Sequence, residues 1–160
     1  MKRPAIDPAD VEGRFGAGFP AEFQAPFEAR EKKALGVALG LTQFGVNLVT
    51  LPPGSASAPR HWHANEDEFV YILEGTPTMI TETGRQDLSP GMVAGFKAGV
   101  EDAHHMVNES DADVVYIEIG SRAADEVCTL PDVDLSVRRE AGQMKFLHKD
   151  GTPYPSGEGS

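Results

Sequence analysis

From about residue 33 to residue 119 the chain runs in short apolar-rich stretches that alternate with period two, each closed by turn residues. No stretch holds a 3.6-residue apolar period long enough for an amphipathic helix. The strand-like stretches cover residues 45–51, 60–64, 68–73, 78–82, 92–97, 104–108 and 113–119. The breaks fall at Pro52-Pro53-Gly54, Glu74-Gly75, Thr83-Gly84, Ser89-Pro90-Gly91 and Glu109-Ser110-Asp111. Many short strands at this spacing predict an all-β sandwich or barrel. Thr83-Gly84 predicts a tight hairpin, pairing the strand before it with a short strand over 86–88.

The flanks read differently. Pro4, Pro8, Pro20 and Pro26 with Gly13, Gly16 and Gly18 keep either regular period from forming before residue 32, which predicts an irregular arm. Its Phe15, Phe19, Phe23 and Phe27 are too many to leave in water, so the arm is expected to lie across the barrel or a second subunit. After Gly120 the charges of Asp132, Asp134, Arg138, Arg139 and Glu140 interrupt the apolar pattern, and a wrapping tail is expected, mobile over 151–160. The expected layout is one domain: an N-terminal arm over 1–32, a barrel over 33–120 and a tail over 121–160.

Composition narrows the function classes. A net charge of −11 repels phosphate backbones and anionic lipids, so neither nucleic acid nor a membrane surface is an expected partner. No signal-like apolar segment follows Met1-Lys2-Arg3-Pro4, and no eighteen apolar residues run together. Cys128 stands alone, so it has no intramolecular disulfide partner, and its expected role is that of a buried packing residue. A reducing, cytoplasmic setting follows as the default.

The chemistry concentrates between Gly54 and Gly75. On a strand His61 and His63 share a face while Trp62 points oppositely. A turn through 64–67 then brings the Glu68 carboxylate beside the two imidazoles, giving part of a shell for a first-row transition metal. A further ligand has two possible sources, the pair His104-His105 and the isolated His148, and only one member of the pair can face inward. Glu66 and Asp67 read as a solvated acidic turn.

These residues resemble the first motif of the cupin superfamily, G-x(5–6)-H-x-H-x(3–4)-E-x(6)-G, which Gly54, His61, His63, Glu68 and Gly75 fill without a gap. The second cupin motif is matched more loosely by Gly91, Gly99, His104 and Asn108. Lys97 replaces its proline, and four residues rather than two separate Gly99 from His104. The three-residue step from His104 to Asn108 favours His104 over His105 as a ligand. The resemblance implies a double-stranded β-helix, the jelly-roll barrel. Inside one mouth it would hold a divalent transition metal (zinc, manganese, iron or nickel) on His61, His63, Glu68 and His104, with two positions open.

Phe44-Gly45-Val46-Asn47, His104-His105 and residues 148–154 are similar to small bacterial cupins called sugar-phosphate isomerases. Such an enzyme implies that the metal acts as Lewis acid on adjacent sugar oxygens while a second inward acid moves a proton. Glu118 is the candidate base, Tyr116 shares its face as a substrate contact, and Arg60 and Lys97 are the candidate phosphate cations. An iron-dependent dioxygenase and a non-catalytic sugar-binding module are the alternatives, since the same fold carries many activities. A homodimer is expected from the aromatic-rich arms at both ends.

Overall fold

Alternation along each chain segment decides which side chains enter the interior, and thirteen strands carry it in the computed structural model, which describes residues 4–155. They are β1 (Gly13–Phe15), β2 (Glu31–Lys33), β3 (Phe44–Leu51), β4 (Trp62–His63), β5 (Glu68–Glu74), β6 (Thr78–Thr81) and β7 (Gly84–Asp87). The rest are β8 (Val93–Phe96), β9 (His105–Val107), β10 (Val114–Ser121), β11 (Glu126–Leu130), β12 (Leu135–Glu140) and β13 (Gln143–Leu147). One five-residue helix, Leu35–Leu39, ends at Gly40 in the left-handed conformation.

One layer is a six-stranded sheet in the order β1-β2-β3-β10-β5-β8. The other combines a four-stranded sheet, β13-β12-β11-β4, with a three-stranded one, β7-β6-β9. A bridge between His61 and His104 joins these two, with reciprocal backbone hydrogen bonds of 3.2 and 3.0 Å. This is the layering of a jelly roll, hydrogen-bonded among the described residues as three ladders with linking bridges.

Val49 and Leu51 of β3, Val70 and Ile72 of β5, and Val114 and Tyr116 of β10 point inward and pack with Met79, Leu88 and Met106 from the facing layer. Burying each such side chain contributes roughly 1.5–3 kcal/mol. The same register sets the site, because the paired row Arg14–Lys32–Val49–Tyr116–Ile72 crosses five strands. Its apolar end lies in the core, and its basic end turns the same face of the sheet toward the interior. Gly75 lets β5 end: its φ is +75°, and a Cβ there would sit 2.5 Å from the Asp113 carbonyl oxygen.

The flanks hold more order than their composition predicts. Residues 13–15 and 31–33 pair with each other and with β3. Three-residue strands such as these draw on an existing sheet edge rather than on local propensity. Past residue 120, β11, β12 and β13 form consecutive hairpins despite their charges, with Val127 facing Arg138 and Ser136 facing Leu147 across the ladders. Phe19 packs edge-on against Phe27 and Phe146, and Phe23 against Tyr154, so much of the arm's aromatic surface is covered by this chain's own tail. Residues 148–154 are tied back by His148 N–H to the Thr152 carbonyl (2.8 Å) and Tyr154 N–H to the Phe146 carbonyl (3.0 Å). The remainder of the expected mobile end, 156–160, lies outside the described residues. The hairpin turn falls one residue earlier than expected: Thr81 pairs with Gly84, which opens β7 at φ +130°, so Glu82 and Thr83 form the loop.

Candidate metal centre

Four side chains converge where the two layers meet. The Nε2 atoms of His61, His63 and His104 lie 3.7, 3.6 and 3.6 Å from Oε2 of Glu68. Strand alternation delivers them: His61 and His63 flank Trp62, which turns away and faces Thr129 of β11, while Glu68 opens β5 in the inward register. His104 stacks on Phe96, ring centroids 3.3 Å apart and 5° from parallel, which fixes its plane. Gly99 N–H holds the His63 carbonyl at 2.8 Å and brings the β8–β9 connection close to β4.

The other ring nitrogens set the protonation. Nδ1 of His61 lies 2.9 Å from the Pro59 carbonyl and Nδ1 of His104 lies 3.0 Å from that of Asp102. A carbonyl only accepts, so both Nδ1 atoms carry hydrogen and each ring turns Nε2, the nitrogen left for a ligand bond, toward Glu68. At 3.6–3.7 Å these contacts are too long for hydrogen bonds, and His104 Nε2 is buried without a partner. Acceptors that share no donor are what a shared cation satisfies; ligand atoms of His61, Glu68 and His104 lie within 4.8 Å of one another, with His63 Nε2 3.6 Å from Glu68, so the residues present fit a divalent ion. With no ion between them the groups can offset one another by protonation instead: burial disfavours the Glu68 carboxylate, yet protonated His104, His61 and His63 outweigh it and hold its pKa well below the usual range. Burial likewise opposes charging His63, but Glu68, Glu126 and Glu66 raise its pKa.

Behind His63 stands Glu126, buried, its carboxylate accepting from the Ala64 and Asn65 amides at 2.9 and 3.0 Å and lying 3.6 Å from His63 Nδ1. The four converging groups open into a cavity of ≈ 550 Å³. Tyr116 and Glu118 line it; Glu118 accepts from Asn47 Nδ2 at 2.8 Å and lies 3.6 Å from Arg30.

Other expected site residues lie elsewhere. Arg60 does not line the cavity: it makes a bidentate pair with Asp132 at 2.8 and 2.9 Å and a second contact with Glu82 at 3.2 Å. Lys97 is exposed and also outside the cavity lining. His105 turns its Nδ1 to the Ala58 carbonyl (2.9 Å) and belongs to no His/Cys/Asp/Glu grouping of metal-binding geometry among the described residues. His148 pairs with Asp134 and stacks on Tyr154. Glu66, read as solvated, is half-buried and partnered by the Ala123 amide and Arg139. Cys128 is half-buried on the cavity wall, its Sγ within 4.8 Å of ring nitrogens of His61 and His63, and burial raises its pKa strongly.

Reading the sequence missed Arg14, Arg30, Lys32 and Glu126, all of which line the cavity. The available signal was alternation: Arg30 and Lys32 share one face once 31–33 is a strand.

A cupin-domain family profile matches residues 47–120. No protein of curated function matches the chain. A solved structure from Silicibacter pomeroyi, called a sugar phosphate isomerase from a cupin superfamily, is 37% identical, covers 96% of this chain and 98% of its own, and superposes with a TM-score of 0.90. A second, from Acidithiobacillus ferrooxidans, bears the same isomerase name as a provisional one; it is 25% identical over 93% of this chain and 92% of its own, with a TM-score of 0.77. The polyketide cyclase RemF of Streptomyces resistomycificus, 19% identical over 76% of this chain and 79% of its own at a TM-score of 0.62, shares the fold alone. With both motif histidines, the motif glutamate and the two-layered sheet in place, the chain belongs to the cupin superfamily.

Proposed function

We propose that the chain is a metal-dependent isomerase interconverting an aldose phosphate and its ketose, with His61, His63, Glu68 and His104 holding the metal and Glu118 as the base. The observation that carries this reading is that Glu118 opens onto the same ≈ 550 Å³ cavity as the four converging donors. The names of the two similar structures point the same way. A zinc, manganese, iron or nickel ion, when bound, supplies Lewis-acid polarisation of adjacent sugar oxygens. Glu118 takes a proton from the carbon next to the carbonyl and returns it to the former carbonyl carbon, while the hydroxyl proton on the neighbouring oxygen passes to the former carbonyl oxygen. Asn47 and Arg30 orient that carboxylate, and Val70, Met79 and Phe96 keep the cavity wall apolar and limit water.

The test is an assay of aldose phosphates under nitrogen in D₂O, with the metal-loaded chain. Isomerisation with deuterium entering the product supports the reading. Oxygen consumption with iron and no isomerisation would replace it with a dioxygenase, and sugar binding without turnover with a binding module.

The working form we propose is a cytoplasmic homodimer. Phe69, Tyr71, Leu73 and Val93 are 39–54% exposed on neighbouring strands β5 and β8, an outward apolar face that a second copy would cover. Light scattering at micromolar protein tests this; a 17.2 kDa species would reject it.

A further inference from the structure

The cavity has a second chemical character away from its histidines. On the inward face of the six-stranded sheet, Arg14 of β1 and Lys32 of β2 stand in one paired row with Tyr116 of β10, and Arg30 just before β2 reaches the same wall. Arg30 is 5% exposed; it donates to the Gly16 carbonyl at 3.3 Å and faces Glu118 at 3.6 Å, while its Nε has no hydrogen-bond partner. The Tyr116 hydroxyl, in a fully buried residue, also has none. Lys32 is half-buried, and its ammonium makes neither ion pair nor hydrogen bond among the described residues. Buried donors without acceptors are costly, and two of them beside a half-buried ammonium on one cavity wall favour an acceptor-rich anion there. In a protein of net charge −11, Glu118 is the one carboxylate among the described residues that ion-pairs with this cationic group.

We infer that Arg30, Lys32 and Tyr116 form a phosphate-binding subsite in the cavity, with Arg14 at its edge. A phosphate dianion offers several acceptor oxygens to donors arriving from different directions: a planar guanidinium, a point-charge ammonium and a neutral hydroxyl. Burial lowers the Lys32 pKa, Glu118 and Glu68 oppose that and Arg30 adds to it, so an arriving anion restores charge stabilisation that burial removes. Lys32 and Glu68 lie on β2 and β5, with β3 and β10 between them, so the subsite stands across the sheet from the histidines. A ligand with a phosphoryl group at one end and vicinal oxygens at the other would span the two. That the ligand is a sugar phosphate rests on the isomerase reading; the anion site itself rests on the unpartnered donors.

Calorimetric titration of the full chain with inorganic phosphate tests the subsite, in metal-loaded protein and in His61→Ala, which separates it from phosphate bound on a metal. One equivalent should bind in both. Lys32→Gln and Arg30→Gln should each weaken binding about ten-fold or more, Lys32→Arg should restore it, and Arg85→Gln, on the exposed β7, should leave it unchanged. Thermal melts identify any variant that fails to fold, and Lys32, at the three-residue β2, is the substitution least disruptive to the core. Unchanged binding in folded Lys32→Gln and Arg30→Gln, or a loss that instead follows Lys97→Gln or Arg60→Gln, would overturn the assignment. So would acetate competing as strongly as phosphate. The two readings fail separately: phosphate binding that depends on Lys32 without turnover of any aldose phosphate sinks the isomerase and keeps the subsite. Turnover with an unchanged KM in Lys32→Gln sinks the subsite and keeps the isomerase.

Discussion

At the histidine end of the cavity, three of the four converging donors come from one run of eight residues, 61–68, and backbone carbonyls lock two of the rings in place. The basic end draws Arg14, Arg30 and Lys32 from the arm and Tyr116 from a strand more than eighty positions later, and it is held mainly by strand register, with Arg30 tied to the Gly16 carbonyl and Glu118. One end is a local motif with its orientation built in. The other is an accident of sequence distance that only the assembled sheet makes into a site. The two ends should therefore respond differently to substitution: the histidine end to its immediate supports, the basic end to the sheet.

Glu118 sits between them, and its removal should have the largest effect. Glu118→Gln should lower kcat for aldose-phosphate isomerisation by about 10²–10⁴-fold with metal content unchanged. A variant that loses metal as well would mean that the carboxylate belongs to the histidine end instead. Ile72→Ala removes a fully buried member of the row that carries Tyr116 and Lys32, and urea unfolding should show a loss of about 2–5 kcal/mol. In the fraction still folded, phosphate binding should weaken more than metal binding. Glu126→Gln acts at the histidine end only: metal affinity, followed by competition with a chelator, should fall about 10–100-fold while phosphate binding holds. Loss of both would show that the ends are not independent.

The smallest effect is expected at Arg60, which serves neither end. Its bidentate contact pulls the pKa of exposed Asp132 below the ordinary carboxylate value of about 4. A depressed folded pKa contributes stability that is present above the unfolded value and lost as pH falls through the folded one. Asp132→Asn should therefore cost under about 1 kcal/mol at pH 7 by chemical denaturation, less in high salt, and nothing in acid below the folded pKa.

What could be read from the residues follows the same division. Period-two alternation placed His61, His63 and Glu68 on a common face because ligand, spacing and strand all lie within fifteen positions of Gly54. The step from His104 to Asn108 points to the member of the histidine pair that faces Glu68, and for a structural reason. Asn108 is buried at the strand's end, donating to the Leu51 and Ala112 carbonyls at 2.8 Å, and so fixes the register in which His104 faces Glu68. The seven expected strands between 45 and 119 all have counterparts, since their turn residues and β-branched runs agree with the final pairing. The flanks did not yield to the same treatment. Residues 13–15 and 31–33 carry glycine, charge and neighbouring prolines, and their strand state is imposed by the edge of β3. That is why the basic cavity wall was not legible in the sequence, whereas Arg60 and Lys97, nearer to the motifs but outside the cavity lining, were the visible candidates. Cys128 looked like packing for want of a partner; only the β4–β11 pairing brings it opposite His63.

Elemental analysis of protein purified without chelators or a histidine tag, with His61→Ala and His104→Ala measured beside it, bears most directly on the shared cation. The expected result is close to one equivalent of a divalent transition metal in the parent protein and a large loss in both variants, with folding intact by circular dichroism. Equal metal content in all three, or none in the parent protein after reconstitution with zinc, manganese, iron and nickel in turn, would contradict the proposed centre.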